Sequence, residues 1–487
     1  MEKLDELEPL FCPRSIAVIG ASTNEAKFGG RFLQALLDFG YRGPLYPVNP
    51  KGSEILGLKM YPSVRDIPGP VDLADIMVPA RLVPQVLEDC LAKGVRAAQI
   101  YTSGFAETHE EQGRLLEEEL KALAKRGIRI IGPNCFGVYC PEGGHTLLPG
   151  GDFPRESGPV AFISQSGGHA VEFGRLARGA GIRFSKAVSY GNACDVNESD
   201  LLEYMAHDPK TRIITMYLEG PRQGRRFLRL VDEVAREKPV LIWKAGLTGA
   251  GARAVYSHTA SLAGEEAIWE ALFRQTAARR VNSLEELADA AVAFLHLPPA
   301  TGRRVGIVGG GGGISVAAAD ACDRGGLEVP PLSPDIQERL RSVLPPAGAA
   351  FRNPVDLGTP IVFPNVFEAV VEAVASADNI DTVIATQAMY YVLTGKLGPP
   401  PEQRPAAVRA LVEVAPKVRD KYGKPVVIVL PIGGDELDML DAEKGRREIR
   451  DSYLEMGVLS YPTLERAVRA VAHVSHYHEK LAQLGRA

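Results

Sequence analysis

The chain has 487 residues, of which 45% are hydrophobic and 24% are charged, with a formal net charge of −5 at pH 7. These values predict a globular protein of about three domains and argue against a nucleic-acid partner or a membrane-spanning protein, because no apolar run approaches 20 residues. The acidic start of the chain lacks the apolar core of a signal peptide, and the six scattered cysteines form no disulfide framework, so we expect a cytoplasmic protein.

The first third of the chain alternates short apolar runs with helical patterns. The runs of strand length are Ile16–Ile19, Leu45–Val48, Ala74–Val78, Ala97–Tyr101 and Ile128–Ile131. Helical patterns between them cover Arg31–Phe39, Arg81–Lys93 and His109–Lys125. This alternation predicts a parallel sheet covered by helices, with ligands bound at the carboxyl ends of the strands.

The loops after these predicted strands carry candidate ligand-binding residues. The first strand ends in Gly20, Ala21 and Ser22, small residues that let backbone N–H groups approach a phosphate, although Ser22 replaces the second glycine of the dinucleotide fingerprint. After the second strand, Asn49 and Lys51 favour a phosphorylated nucleotide over NAD, and both coenzyme A and NADP fit that charge. Later strand ends add Val78, Pro79, Thr102, Ser103, Gly104 and Asn134.

A second alternating unit starts at Gly158, after a linker rich in glycine and proline. Its predicted strands are Pro159–Ile163, Phe184–Ser189, Arg212–Leu218 and Pro239–Trp243. The first strand runs into a serine–glycine loop, Ser164-Gln165-Ser166-Gly167-Gly168, ahead of a helical pattern at His169–Arg178. Such a loop can hold phosphate with backbone N–H groups and the helix dipole.

Two further features leave the same edge of this predicted sheet. Glu219 follows one strand, and another leads into Ala245–Gly264, whose glycines predict an irregular loop that ends near His258. A neutral imidazole on a mobile loop is a good nucleophile at physiological pH. The serine–glycine loop, Glu219 and His258 are thus expected at one edge of the sheet, which favours a catalytic site over an incidental surface histidine.

A third unit follows Leu297–Gly302. The strand Arg303–Val308 runs into the glycines Gly309–Gly313 and a helix at Ile314–Arg324, which predicts a second anion site without the Lys-Ser/Thr pair of a P-loop. Further strands are predicted at Thr382–Thr386 and Pro425–Leu430, and Asp356 is predicted to be a buried acid in a turn.

No metal site is predicted. The helical tail Tyr461–Lys480 carries His473, His476 and His478, which favour a solvated helix end, because no cysteine or acid stands beside them at metal-ligand spacing. Cys135 and Cys140 lack the second cysteine pair of a zinc site and are interpreted as packing or ligand-loop residues.

Taken in order, the motifs resemble the alpha subunit of NDP-forming acyl-CoA synthetases, the ADP-forming acetate–CoA ligase group related to succinyl-CoA synthetase. The motifs are IAVIGAS from Ile16, YPVNPK from Tyr46, GPNCFG from Gly132, SQSGG from Ser164, SYGN from Ser189, YLEG from Tyr217, KAG from Lys244, SHTASLAG from Ser257 and NPVDL from Asn353. The resemblance implies an α/β protein with a Rossmann-like CoA-binding domain at residues 1–140 and flavodoxin-like domains at 155–298 and 301–487.

The resemblance also implies the chemistry. Phosphate attacks the thioester of acyl-CoA to give an acyl phosphate and CoA; His258, oriented by Glu219, takes the phosphoryl group and releases the acid; and ADP then accepts it. Phosphate is implied to sit between two helix N-termini, which are by position those that follow Ser164, Ser166, Gly167 and Gly168 and, in the third unit, Gly311, Gly312 and Gly313. An NADP-dependent oxidoreductase is least favoured, because no hydride-transfer constellation appears beyond the first domain.

Two departures from the family pattern shape the expectations. No nucleotide-grasp domain is recognisable, so the resemblance implies a separate ATP-grasp beta subunit, in an α2β2 complex, that binds ADP or ATP with Mg²⁺. The third-unit loop has Gly309–Gly313 where the family usually has Asn-Ala-Gly-Gly-Pro-Gly, and Ala260 stands where glycine is common. These departures motivate the alternative of a CoA- or acyl-CoA-binding regulatory protein. The sequence leaves open the acyl group and the choice between ADP and GDP.

Overall fold

The computed structural model describes residues 2–24, 27–147, 153–259, 264–299, 301–359, 363–394, 399–434 and 436–485. The description leaves out the side chains of residues 2–4, 256–259 and 438. The chain divides into two compact units, residues 1–288 and 289–487.

The first sheet is parallel, with strand order β2-β1-β5-β6-β7, and a short hairpin of β3 and β4 stands apart from it. The strands of this region are β1 (Ile16–Ile19), β2 (Leu45–Val48), β3 (Glu54–Ile55), β4 (Leu58–Lys59), β5 (Leu73–Ile76), β6 (Ala97–Ile100) and β7 (Arg129–Ile131). The helices are α1 (Glu2–Phe11), α2 (Phe28–Phe39), α3 (Val83–Lys93) and α4 (Glu111–Ala124). The predicted alternation of strands and helices is confirmed.

The second sheet has strand order β13-β12-β11-β9-β10-β8, with all neighbours parallel except β8, which pairs antiparallel with β10. Its strands are β8 (Gly137–Tyr139), β9 (Ser157–Ser164), β10 (Phe184–Ser189), β11 (Ile213–Leu218), β12 (Val240–Lys244) and β13 (Arg279–Val281). The helices are α5 (Gly167–Gly179), α6 (Glu198–His207), α7 (Gly224–Ala235), α8 (Gly249–Thr259), α9 (Glu266–Gln275) and α10 (Leu284–His296).

The third sheet is parallel, with strand order β15-β14-β16-β17-β18. Its strands are β14 (Val305–Gly309), β15 (Val355–Asp356), β16 (Thr382–Thr386), β17 (Val426–Val429) and β18 (Ser460–Tyr461). The helices are α11 (Gly312–Arg324), α12 (Pro334–Arg341), α13 (Pro364–Ala375), α14 (Met389–Thr394), α15 (Arg404–Tyr422), α16 (Leu440–Glu455) and α17 (Leu464–Gln483).

The central strands are buried along their whole length. Every residue of β1, β5, β6, β11, β14, β16 and β17 is buried. Continuous apolar runs of this kind form parallel strands because helices cover both faces of the sheet and leave no solvent-facing positions. Side chains therefore reach ligands from the loops at the strand ends.

The segment that carries His258 differs from the sequence prediction. An irregular loop was expected from its glycines, but α8 covers Gly249–Thr259. The Thr248 hydroxyl accepts a hydrogen bond from the Gly251 N–H at 3.1 Å, as an N-capping residue does. With that cap and the alanines that follow, the helix tolerates its glycines.

The predicted solvated helix end in the tail is wrong for part of α17. His473 is buried, and His476 packs so closely on Gly326 that a Cβ there would lie 2.8 Å from the imidazole Nε2. Within the described ranges, no group of three or more potential ligands is arranged to hold a metal ion. No helix in these ranges has both the length and the hydrophobicity needed to cross a membrane.

A cluster of polar side chains is buried beneath the first sheet. Asp75 on β5 and Gln99 on β6 are register partners, and the Asp75 Oδ2 lies 4.0 Å from the Nε2 of buried His145. Gln99 accepts the Val138 N–H at 2.8 Å, whereas both Asp75 carboxyl oxygens lack a hydrogen-bond partner in the described structure. Burial raises the pKa of Asp75 well above its usual value and lowers that of His145 to about 3, so burial favours the neutral form of both groups.

This burial makes stability depend on pH. Asp75 ionises near pH 4 in the unfolded chain, whereas burial favours its protonated form in the folded protein, so its contribution to stability falls as pH rises above about 4. We expect Asp75→Asn to gain stability relative to the parent as pH rises above about 4, with a slope of at most about 1.4 kcal/mol per pH unit. Denaturant unfolding at pH 5, 6, 7 and 8 measures this difference.

The exposed Asp38→Asn removes a surface carboxyl group and is the matched control. A pH-independent difference between Asp75→Asn and the parent would show that burial does not keep Asp75 protonated in the folded protein.

Candidate functional site

A cavity of about 860 Å³ opens at the carboxyl ends of the strands of the first sheet. Its walls come from the loops after β1, β2, β5 and β6. The predicted ligand residues that line it are Gly20, Asn49, Lys51, Val78, Pro79, Thr102 and Ser103. The position of the cavity follows from the parallel sheet, in which strand ends meet at one edge.

Four predicted residues are not among those that line the cavity. The carbonyl oxygen of Ala21 accepts a hydrogen bond from the Asn49 side chain at 2.7 Å, and the Ser22 hydroxyl accepts the Asn24 N–H at 3.2 Å. The Gly104 N–H donates to Glu107 at 2.6 Å. Asn134 donates its backbone N–H to the Thr102 carbonyl oxygen at 3.0 Å and thus holds the loop after β6 in place.

Asn49 has a structural role in addition to its place in the cavity wall. Its amide nitrogen donates to Ala21, and its amide oxygen accepts the Lys51 N–H at 3.0 Å. The side chain therefore joins the loop after β1 to the loop after β2. Asn49 and Lys51 together predicted a phosphorylated nucleotide, and the exposed Lys51 is the one that supplies positive charge.

Sequence reasoning missed the part of the site that α2 provides. Lys27, Phe28 and Gly29 line the cavity, and Lys27 is a second lysine in its wall in addition to Lys51. A Cβ at Gly29 would lie 2.4 Å from the Gly20 carbonyl oxygen, so only glycine lets α2 pack on this loop. The close approach of Gly29 to Gly20 and the two lysines in the cavity wall suit a ligand with phosphate groups.

The edge of the second sheet is held together by one buried side chain, that of Gln165. Its amide oxygen accepts the backbone N–H groups of Glu219 at 2.9 Å and Gly220 at 3.3 Å. The Gln165 N–H donates to the Tyr217 carbonyl at 3.1 Å. The predicted phosphate loop and the predicted carboxylate are thus fixed to each other across β9 and β11.

The predicted phosphate loop forms the N-terminus of α5. Ser166 is the N-cap and accepts the His169 N–H, while the Ser164 hydroxyl donates to the Ser166 carbonyl at 2.7 Å. Gly167 and Gly168 occupy the first turn, where N–H groups have no partner within the helix. A Cβ at Gly167 would lie 2.9 Å from the Phe136 ring, so a larger residue would not fit there.

Glu219 is buried, and Lys244 lies near it at the end of the neighbouring strand. The Tyr217 hydroxyl donates to the Glu219 carboxylate at 3.3 Å. The Lys244 ammonium group donates to the Ala245 carbonyl and lies 5.3 Å from the centre of the Trp269 ring. Burial lowers the pKa of Lys244 to about 8, and the nearby Glu219 carboxylate opposes that shift.

His258 belongs to the last turn of α8, and its side chain lies outside the described part of the chain. The helix follows β12, the strand next to β11, and lies beside the short helical turn Ala106–Thr108. That turn follows the loop after β6 that borders the cavity. The predicted pairing of His258 with Glu219 stays a prediction.

The glycine loop of the third sheet is engaged by Asp356. The Asp356 carboxylate accepts the Gly311 N–H at 2.8 Å and the Gly358 N–H at 2.9 Å. Asp356 is buried, as predicted. Of the three glycines predicted to hold phosphate here, Gly312 and Gly313 lie in the first turn of α11, whereas the Gly311 amide is already bonded.

Three family profiles match successive parts of the chain. The CoA binding domain matches residues 14–141, the succinyl-CoA ligase like flavodoxin domain matches residues 157–294, and the Ligase-CoA domain matches residues 305–444. The chain is also 38% identical to the alpha subunit of ADP-forming acetate–CoA ligase I from Pyrococcus furiosus, over 96% of both chains. This chain belongs to the ADP-forming acetate–CoA ligase family.

Other members of the family have a different extent. The chain is 38% identical to ADP-forming acetate–CoA ligase I from Archaeoglobus fulgidus, and the match covers 97% of this chain but 64% of that protein. A solved structure of dinucleotide-forming acetyl-coenzyme A synthetase 1 from Ca. Korarchaeum cryptofilum, in complex with phosphate and ADP, is similar with a TM-score of 0.81. Its sequence is 33% identical, and the match covers 99% of each chain.

Family membership confirms the predicted fold class of a CoA-binding domain and flavodoxin-like domains. The structure also explains the motif NPVDL. The Asn353 amide nitrogen donates to the carbonyls of Val305 and Pro330, and its oxygen accepts the Ile307 N–H, so this residue fixes the edge of β14. Asp356, from the same motif, bonds the glycine loop.

The close contact at Gly29 yields a test of the cavity. We expect Gly29→Ala to weaken binding of CoA to the purified chain by about tenfold or more, because the new methyl group displaces the Gly20 loop. Isothermal titration calorimetry with CoA measures the change. Gly179→Ala, at the end of α5 where a Cβ meets open space, is the matched control and should bind CoA normally. Unchanged affinity in Gly29→Ala would place CoA elsewhere.

The two hydrogen bonds that the Gln165 side chain accepts from Glu219 and Gly220, called the Gln165 bracket, yield a second test. We expect Gln165→Leu to slow phosphoryl transfer by about 10- to 100-fold, because two buried N–H groups lose their acceptor and Glu219 shifts. CoA affinity should be unchanged. Rapid-quench phosphorylation assays and calorimetry measure the two quantities separately.

Thr215→Val is the control for the Gln165 variant, since it removes a buried hydrogen bond of 2.7 Å between β11 and Ala161 away from the strand end. It should lower the Tm and leave the rate unchanged. If both variants slow the reaction in proportion to their loss of stability, Gln165 has no positioning role.

Proposed function

We propose that this chain is the CoA-binding and phosphohistidine-forming subunit of an ADP-forming acyl-CoA synthetase, an acid–thiol ligase. The observation that carries the proposal is the Gln165 bracket, which joins a helix N-terminus suited to phosphate with a buried carboxylate. It occurs in a chain that matches ADP-forming acetate–CoA ligase alpha subunits over nearly its full length. The relatives reported above are named as ligases or synthetases, which gives no support to the regulatory alternative.

The cavity of the first sheet would bind CoA. Its volume of about 860 Å³ is in the range of nucleotide-sized ligand sites, and Lys27 and Lys51 give it two positive charges for phosphate groups. The match of residues 14–141 to the CoA binding domain favours CoA over NADP. The loop Thr102–Gly104 would bring the thiol end toward the turn beside α8.

The edge of the second sheet would carry out the transfer. Phosphate held by the first turn of α5 attacks the thioester carbonyl of acyl-CoA, forms the acyl phosphate and releases CoA as its thiolate. The free imidazole nitrogen of His258 then attacks phosphorus, and the carboxylic acid leaves as its carboxylate. Glu219 would hold the other imidazole nitrogen, so that one tautomer faces the acyl phosphate.

Lys244 would balance charge during these steps. Two anions, the Glu219 carboxylate and the phosphoryl group, come together at this edge, and a buried ammonium group lowers the energy of that arrangement. Gly312 and Gly313 of the third unit would give a second anion site of the kind that the family resemblance implies.

The second half of the reaction would need a partner. A separate ATP-grasp subunit, in an α2β2 complex, would carry ADP and Mg²⁺ to the phosphohistidine and form ATP. The Pyrococcus relative is named as an alpha subunit, whereas the match to the Archaeoglobus relative leaves about a third of that protein unmatched. We further propose domains at 1–140, 155–298 and 301–487 and a cytoplasmic location. The acyl group stays open.

Phosphorylation of the chain tests this function. The purified chain, alone and with its beta subunit, is incubated with labelled phosphate and a panel of acyl-CoAs. We expect an acid-labile, base-stable label on His258 with the cognate acyl-CoA. The His258→Ala variant should lose the label entirely, and Glu219→Gln should slow labelling by about 100-fold.

The exposed His207→Gln is the matched control and should label like the parent. Peptide mapping locates the label, and calorimetry with CoA verifies that each variant keeps the first-domain site. A label that persists in His258→Ala, or the absence of any label in the assembled complex with all acyl-CoAs, would overturn the proposed function.

A further inference from the structure

Two cysteines far apart in the sequence meet in the first unit. The Cys12 and Cys140 sulfurs lie 3.8 Å apart, although 128 positions separate the residues along the chain. Cys12 directly follows α1, and Cys140 directly follows β8. Both are free thiols, and nothing in the proposed reaction uses them.

The backbones of the two cysteines are held close together. A Cβ built on Gly143 would lie 3.6 Å from the Cys12 Cα and 3.7 Å from the Cys140 carbonyl oxygen. Cys140 and His145 exchange two backbone hydrogen bonds, of 2.7 and 3.1 Å, which close a tight turn around Gly143. The chain on the Cys140 side is therefore fixed next to Cys12.

The other side of the contact is fixed by α1. The Phe11 ring stacks on the Tyr204 ring at a centroid distance of 4.5 Å, and the Tyr204 hydroxyl donates to Glu8 at 2.6 Å. The Cys12 N–H donates to the Glu8 carbonyl at 2.8 Å. Both backbones are therefore anchored beside the contact, and a disulfide requires the sulfur separation of 3.8 Å to shorten to about 2.05 Å.

The surroundings suit thiol–disulfide exchange. Cys12 is partly exposed and can meet a small oxidant, whereas Cys140 is buried beneath it. The hydrogen bond between the two thiols lowers the pKa of Cys140, with the Lys186 ammonium group acting in the same direction, and raises the pKa of Cys12. Cys140 therefore has the more acidic thiol of the pair and lies 3.8 Å from the Cys12 sulfur, the position from which a second cysteine resolves a mixed disulfide.

We propose that Cys12 and Cys140 form a reversible disulfide with each other. The oxidant is a low-molecular-weight disulfide such as oxidised glutathione. The Cys12 sulfur attacks one glutathione sulfur to form a mixed disulfide, and the Cys12 proton passes to the departing glutathione, which leaves as a thiol. The Cys140 thiolate then attacks the Cys12 sulfur and displaces the second. The two cysteines lose two electrons to the oxidant, and their two protons end on the two glutathione thiols.

The cross-link would tie α1 to the turn after β8. It closes a loop of more than 100 residues, and loops of that length give a disulfide a large effect on the unfolded chain. Oxidation should therefore raise the Tm of the first unit by roughly 5 °C or more. The inference is independent of the ligase activity.

Oxidation of the intact folded chain tests the proposal. The protein is incubated with oxidised glutathione at pH 8, quenched with acid, alkylated and mapped by mass spectrometry. We expect a peptide pair joined through Cys12 and Cys140, lighter by two hydrogens, together with the higher Tm. Dithiothreitol should reverse both.

Variants separate this pair from the other cysteines. Cys12→Ser and Cys140→Ala should each lose the cross-link and the Tm rise, whereas Cys322→Ala, which removes a buried cysteine of the compact unit at residues 289–487, should keep both. Glutathione that stays attached to Cys12 without a cross-link, or a cross-link that appears only after denaturation, would overturn the proposal.

Discussion

The side-chain carbonyl of Gln165 is the contact on which the edge of the second sheet depends. Parallel strands deliver their loops to one edge, but they do not fix those loops to one another. Here one buried acceptor takes the N–H groups of both Glu219 and Gly220 while its own residue opens the loop into α5. The backbone of Glu219 and the loop into α5 are therefore bonded to each other, and electrostatic catalysis depends on fixed geometry of this kind.

The candidate anion-binding loops of the three sheets differ in the groups that they offer to a ligand. The first exposes two lysines on a cavity wall, and the second presents a helix N-terminus with open glycine amides. In the third, Asp356 already takes the Gly311 amide, so the glycine-rich loop is partly satisfied from within. In the loop that departs from the family pattern, Gly311 is thus bonded within the protein, while Gly312 and Gly313 lie in the first turn of α11.

Most of the fold could be predicted because the signals are local. Apolar runs such as Ile16–Ile19 became strands with the predicted bounds, since their burial needs only helices on both faces. The helix α8 was missed because glycine propensity was weighed without the cap from Thr248. The strand β8 was missed because three residues carry no periodicity.

The site was predictable to the extent that it follows strand ends. The loops after β1, β2, β5 and β6 were found, but the place of Gly29 was not, because its role rests on contact with a carbonyl nine residues earlier. Asn49 was assigned to a ligand, whereas its amide also serves the fold. The pairing of Cys12 with Cys140 depends on three-dimensional proximity across 128 positions, which no local pattern encodes.

The antiparallel strand β8 has a consequence for dividing the protein. It lies within the stretch matched to the CoA binding domain, yet it pairs with β10 at the border of the flavodoxin-like sheet. A fragment cut at the boundary of the flavodoxin-like match, from residue 157 onward, would keep β9 on one side of β10 but leave the N–H and C=O groups that face β8 without a neighbour. Such an open edge invites pairing between molecules, so the second domain is better expressed from a start ahead of Gly137.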